Sequence, residues 1–223
     1  MIKNKMVIAC GSLRPELEKL QLLVPEVEIK FLPQNLHRHP DKLKNELQEA
    51  INHIDKSYKE AALGYGLCSN GIVGVKAPAQ GLYIPKAHDC ITLYMGSKDK
   101  YSHVFKEIPG TYYLTRAWIE EEKDPLSQME NEYTERVGRE FAEYAMKEEI
   151  KNYSHICFIN TGIGDTEKYR LRAKENAMFF EKEYIEMEYK NELLLKTLQG
   201  PYPANEFIYV EPNQLVKQKD FLN

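Results

Sequence analysis

Three cysteines stand where an apolar run gives way to small or polar residues. Cys10 follows "MVIA" and precedes Gly11-Ser12, Cys68 follows "ALGYGL" and precedes Ser69-Asn70-Gly71, and Cys90 follows "LYIPKAHD". Thiolates are soft, charged ligands whose mutual repulsion is costly unless a cation neutralises them, so three that converge would hold a metal. Three protein ligands leave one coordination position open, which separates a working site from a closed structural one. For zinc that position takes water or a substrate thiolate. In a cubane iron–sulfur cluster it exposes one iron. Glycines beside the thiols, Gly66 and Gly71 among them, let backbone approach the sulfur atoms and donate N–H bonds. The competing reading is packing, because cysteine is among the most buried residue types and is small enough to end a strand. The sequence has no C-x-x-C pair, so spacing alone does not choose between the two.

"AHDC" adds His88 and Asp89 beside a thiol. His88 would shuttle protons near neutral pH, and Asp89 would either orient it or cap a helix opening at Cys90, capping being the commoner use. Cys157, inside "HICFINTG", reads as a core residue of a buried strand.

A chain of 223 residues with 43% hydrophobic and 29% charged residues buries a sizeable core without disulfides. Its net charge of -4 comes from interspersed acids and bases with no basic stripe, which argues against nucleic acid as a partner. The apolar run before Gly11 is too short for a signal segment and no later run reaches the length of a membrane span, so a cytoplasmic protein without a membrane partner is expected. There the four cysteines would stay reduced.

The elements that must position the thiols follow from periodicity. "KMVIACG", "VEIKFLP", "KEAALGYG", "GLYIP", "HICFINTGIGD", "YIEMEY" and "EFIYVEP" read as strands, and "GTYYLTRAWI" as a further extended piece. "HPDKLKNELQEAINHIDKS" reads as a helix with Leu43, Leu47, Ala50, Ile51 and Ile54 on one face, and "TEKYRLRAKENAMFFEKE" and "NELLLKTLQG" as two more. Residues 124–152 read as one long helix striped by Met129, Tyr133, Val137, Phe141, Tyr144 and Ala145. This alternation predicts an α/β fold, an open, mostly parallel Rossmann-like sheet with helices on both faces. It is read as one domain over 1–223, with two pseudo-halves, 1–121 and 153–223, bridged by the long helix. In such sheets ligands bind outside the carboxyl ends of the strands, where all three thiols would lie.

Three loops remain. "NTGIGDTEKY" has the layout of a phosphate cradle, but Glu167 replaces the third glycine and Asp165 adds a second acid, so a nucleotide is rejected. Gly162 to Asp165 are instead assigned to the wall of the crevice, with Asp165 or Thr166 as a helix cap. "PGTYYLTRAW" gathers Tyr112, Tyr113, Arg116 and Trp118, suited equally to an interface and to a sheet edge. "HRHP", His37 to Pro40, reads as an exposed loop ahead of metal binding.

"GYGLCSNGIVG", "IPKAHDCITLYMGSK", "PGTYYLTRAW" and "LLLKTLQG" together resemble domain-of-unknown-function family number 1638, of anaerobic archaea and bacteria. The resemblance covers most of the chain. It implies a companion of corrinoid-dependent methyltransferase systems, with a corrinoid protein or a methyltransferase as partner. It carries over onto Cys68, Asn70 and Gly71 in one motif and His88, Asp89 and Cys90 in the other, and raises the shared metal site above the packing reading. The expectation is a metalloprotein with Cys10, Cys68 and Cys90 as ligands, an iron–sulfur cluster of the 4Fe–4S type ahead of zinc, in redox or methyl-transfer chemistry. His88 and Asp89 would then be the catalytic pair, and Gly66, Asn70, Gly71, Gly162 and Asp165 would shape the ligand pocket. The alternatives are a metal-free assembly partner of a methyltransferase that uses the "TYYLTRAW" surface, and a thiol enzyme with Cys90 as nucleophile beside His88.

Overall fold

The computed structural model describes residues 3–34, 36 and 39–221. His37 and Arg38, half of the "HRHP" loop, lie outside them. The elements run β1 (Lys3–Cys10), α1 (Arg14–Gln21), β2 (Val27–Leu32), α2 (Pro40–Asn52), β3 (Tyr58–Gly64), β4 (Leu82–Pro85), α3 (Cys90–Met95) and α4 (Lys98–Glu107). There follow β5 (Thr111–Leu114), α5 (Arg116–Glu120), α6 (Pro125–Ser127), α7 (Thr134–Val137), α8 (Arg139–Glu149), β6 (His155–Asn160), α9 (Thr166–Phe179), β7 (Glu183–Glu188), α10 (Glu192–Gln199) and β8 (Phe207–Val210). Among the described residues no helix is long and apolar enough to cross a membrane.

Contacts divide the chain into two compact units, one of residues 1–101 with 191–223 and one of residues 102–190. The first holds a five-stranded sheet of order β2-β1-β3-β4-β8, parallel except for β8. Val7, Ile8 and Ala9 of β1 and Ala61, Ala62 and Leu63 of β3 are fully buried, as the central strands of a sheet covered on both faces must be. Helix α2 buries Leu43, Leu47, Ala50 and Ile51, four of the five positions its periodicity marked. Helix α10 packs on α1, α3, β3 and β4.

The order of this sheet fixes where a ligand can enter. From β1 the chain runs to β2 on one side, then returns past β1 to form β3 on the other. The connections after β1 and β3 therefore leave in opposite directions, and their carboxyl ends part to form the crevice of a topological switch point. Cys10 is the last residue of β1, and Cys68 lies four residues beyond the end of β3.

The second unit has its own parallel sheet, of order β5-β6-β7, with α9 packed on β6 and β7. Leu114, Ile156, Phe158, Tyr169 and Ala173 form one buried cluster, and Met129, Ala142, Met146, Ile150 and Phe180 another. The long helix expected over 124–152 is broken. A π-helical turn occupies Gln128–Tyr133, and Gly138 adopts φ 79° and ψ 158°, which ends α7 and starts α8 in a new direction. The break rotates the expected stripe out of register. Met129 stays buried, whereas Val137, Phe141 and Tyr144 are exposed, and Ala142 and Met146 take their place in the core.

Candidate metal centre

Each thiol is placed by a turn that its neighbours build. After Cys10 the chain tightens into a 3-10 turn over Gly11–Leu13, and the Ser12 hydroxyl donates back to the Cys10 sulfur at 3.1 Å. The Tyr94 hydroxyl of α3 donates to the Ser12 carbonyl at 2.5 Å and ties this turn to the helix that Cys90 begins. Asp89 caps that helix, its Oδ1 accepting from the Thr92 N–H at 3.0 Å and the Thr92 hydroxyl at 3.2 Å. The capping role read from the sequence is the one its carboxylate performs.

The Cys68 turn is the strained part of the site. Cys68, Ser69 and Asn70 have φ of 48°, 54° and 66°, three consecutive left-handed residues without a glycine among them. Such a conformation costs an L-residue roughly 1–2 kcal/mol, and Asn70 alone is of a type that adopts it readily. The turn closes where the Gly71 N–H donates to the Cys68 carbonyl at 2.9 Å. Strain of this kind persists when surrounding contacts over-determine it. Here the contacts are a backbone zipper, with Leu67 N–H donating to the Ala87 carbonyl at 2.8 Å and Cys68 N–H to the His88 carbonyl at 2.9 Å. Gly66 makes this approach possible, since a Cβ there would lie 2.7 Å from the Asp89 nitrogen and 2.9 Å from the Ala87 oxygen.

The three thiols thereby lie beyond the carboxyl ends of β1, β3 and β4, where Cys10 acts on Cys68, and Cys10 and Cys68 act on Cys90. Cys10 is buried, whereas Cys68 and Cys90 keep part of their surface open to solvent. Burial pushes the Cys68 thiol up to about 12, reinforced by Cys10 and Asp89 and opposed by a backbone hydrogen bond from Gly66. Burial, then Asp89, Cys10 and Cys68, hold the Cys90 thiol well above its ordinary value. Among the described residues no basic group acts on either thiol, so both stay protonated at neutral pH unless a cation arrives. Among the described residues no three His, Cys, Asp or Glu side chains stand placed to hold a single metal ion.

Two tyrosines complete the surroundings. Tyr65, between Gly64 and Gly66, is 2% exposed. Its hydroxyl lies against Cys10 with no aligned hydrogen-bond partner among the described residues, and burial, then Cys10 and Cys68, keep it protonated well above the usual range. Tyr101 is held up by burial and by Asp89 and Cys90. The His88 ring is exposed, 6.3 Å from that of Tyr101.

Of the residues read from the sequence, the first unit gathers Cys10, Cys68, Cys90, Gly66, Asn70, Gly71, His88 and Asp89. Gly162 and Asp165 belong to the second unit, where the Gly162 N–H donates to Asn160 Oδ1 at 2.9 Å and Asp165 caps α9. A cleft of about 750 Å³ beside α9 is rich in carboxylates, Glu120, Glu130, Glu167 and Glu175 among them. In the "TYYLTRAW" segment Tyr112 packs against both clusters of the second unit. The sequence reading missed Ser12, Tyr65, Tyr94 and Tyr101. Tyr65 alone carried a local signal, a large polar ring between two glycines at a strand end.

The profile of one family, described as a protein of unknown function (DUF1638), matches residues 31–198. This chain belongs to that family. The DUF1638 match takes in Cys68, His88, Asp89, Cys90 and the whole second unit, and it begins after Cys10. No curated protein and no solved structure matches the chain.

The raised thiols of this DUF1638 protein set its behaviour in base. A thiol held above its ordinary value stabilises the fold in its protonated form. The contribution of Cys68 is complete below pH 9.0 and is lost as pH rises from there through about 12. The metal-free protein should lose up to roughly 1.4 kcal/mol per pH unit through this group in that window. Cys157, also raised to about 12 by burial, adds to the total loss, so the informative quantity is the difference between wild type and Cys68→Ala in urea denaturation at pH 8, 9 and 10. Parallel stability profiles for the two proteins would contradict the burial of this thiol.

Proposed function

We propose that Cys10, Cys68 and Cys90 hold a metal centre, a 4Fe–4S cluster in preference to zinc, and that the protein uses it in redox or methyl-transfer chemistry. The observation that carries the reading is the gathering of three thiols at the switch-point crevice with, among the described residues, no cation acting on Cys68 or Cys90. Such a cluster of sulfurs is stable as thiols or as metal ligands, and thiolates without a metal would repel one another. The strained left-handed turn at Cys68–Asn70 supports a functional use for this loop over simple packing. A cluster is preferred because each thiolate binds a different iron, so the sulfurs are not required to meet at one point.

When bound, the cluster would supply a low-potential electron or an exposed iron for a substrate. The chain's own residues bind and enclose it. Cys10 is the buried ligand, Cys68 and Cys90 are the ligands at the mouth, and the Gly66 backbone and the Ser12 hydroxyl donate to sulfur. His88, exposed at the rim, is placed to exchange protons with solvent. The resemblance to companions of corrinoid systems makes a corrinoid protein or a methyltransferase of a cytoplasmic, anaerobic one-carbon metabolism the partner to try.

The test is purification without oxygen, followed by metal and acid-labile sulfide per chain and a visible spectrum. Iron with sulfide and an absorbance that fades in air is the expected result. Zinc without sulfide would keep the ligands and replace the cluster. A chain that stays empty after reconstitution with iron and sulfide, and with zinc, would overturn the reading.

A further inference from the structure

We propose that Tyr65 is the internal hydrogen-bond donor of the loaded centre, its hydroxyl donating to the Cys10 sulfur when that sulfur is a metal ligand. This rests on the metal-centre reading above. Parallel pairing sets Ala9 opposite Gly64, so the residues that follow, Cys10 and Tyr65, leave neighbouring strands side by side at the switch point. Tyr65 is 2% exposed, and its hydroxyl lies against Cys10 without an aligned partner among the described residues. Folded proteins rarely leave a buried hydroxyl unsatisfied, and where they do the missing partner is often an ion or ligand. A neutral thiol is a weak acceptor, whereas a sulfur bound to metal carries negative charge and accepts strongly. Ser12 already donates to the same sulfur at 3.1 Å. Cys10 would thus receive two O–H donors, and Tyr65 is the one whose bond waits for the metal.

The inference predicts opposite effects of one change in two states. Tyr65→Phe removes an O–H that has no aligned partner among the described residues of the metal-free chain and keeps the ring, so the metal-free variant should melt at the same temperature as wild type or higher. Ser12→Ala removes a bond already made and should melt lower. In the loaded state Tyr65→Phe should lose its cluster to a chelator about tenfold faster, the usual scale for one charge-assisted hydrogen bond. Its sulfur-to-iron charge-transfer absorbance should move to lower energy, because a sulfur that loses a donor is easier to oxidise. Anaerobic reconstitution of wild type and both variants with iron and sulfide, followed by chelator challenge and visible spectra, reads these effects. A wild type that loads while Tyr65→Phe keeps the retention and spectrum of wild type, or a metal-free Tyr65→Phe that melts lower, makes Tyr65 a structural residue and overturns the inference alone. A wild type that takes up no iron overturns both this inference and the cluster.

Discussion

Replacing any one of Cys10, Cys68 and Cys90 with serine should empty the metal centre and leave a folded chain. Serine is close to cysteine in size but is a poor ligand for soft metals, so the change removes a bond to metal more than it disturbs packing. Apparent binding energies for structural thiolate sites are roughly 10–16 kcal/mol, and losing one ligand of three should cost at least about 4 kcal/mol, or roughly a thousandfold in affinity. Metal and sulfide per chain, with circular dichroism to report folding, measure the two halves of this statement. Cys157→Ser is the control, because that thiol is buried in β6 of the other unit and away from any strand end. Full metal retention by Cys68→Ser would show that Cys68 is not a ligand and that the three-thiol arrangement is wrong. The same raised thiols weaken the thiol-enzyme alternative. At about 12, Cys68 would be thiolate in only about one molecule in 10⁵ at pH 7, and Cys90 is also held well above the ordinary range.

The position of the thiols was readable because strand ends are readable. Val7 to Ala9, Ala61 to Leu63 and Leu82 to Ile84 are short apolar runs stopped by a small residue or by proline, and in a parallel sheet such stops share one edge. What joins the loops was not readable. The left-handed run at Cys68–Asn70 breaks the local rule that such residues avoid positive φ, and it is held by hydrogen bonds to residues about twenty positions away. Tyr94 and Ser12 meet across 82 residues of sequence, a pairing that no window of periodicity contains.

The fold shows the same division. Strands β1 to β4 and β6 to β8 follow from their apolar patterns, and Asp165 and Asp89 from the capping preference. The partition into two sheets does not, because alternation of strand and helix is the same whether successive strands join one sheet or start another. The 124–152 segment has helical periodicity on both sides of Gly138, and only its backbone angles reveal that the two sides point differently. Helix α1 escaped notice because Pro15 and a row of charged residues hide its short buried face of Glu16 and Leu17.

Gly66→Ala should be the most damaging single methyl in the first unit. The residue has no positive φ, so its role is space. The added Cβ would lie 2.7 Å from the Asp89 nitrogen and 2.9 Å from both the Ala87 oxygen and the Asp89 Cα, all backbone atoms that no rotamer change can move. Relief requires the two loops to separate, at the expense of the bonds from Leu67 to Ala87 and from Cys68 to His88. Overpacking of about 1–3 kcal/mol and two hydrogen bonds near 1 kcal/mol each give an expected loss of about 3–5 kcal/mol. Gly162→Ala sets the scale for comparison. Its Cβ would meet nothing within 4 Å among the described residues, so only the strain of φ 68° remains, about 1 kcal/mol. Urea denaturation of the metal-free variants measures this difference. The same separation moves Cys68 away from Cys90, so Gly66→Ala should also hold less metal than wild type with all three thiols intact. A variant as stable and as fully loaded as wild type would mean that the zipper positions neither the turn nor the thiols.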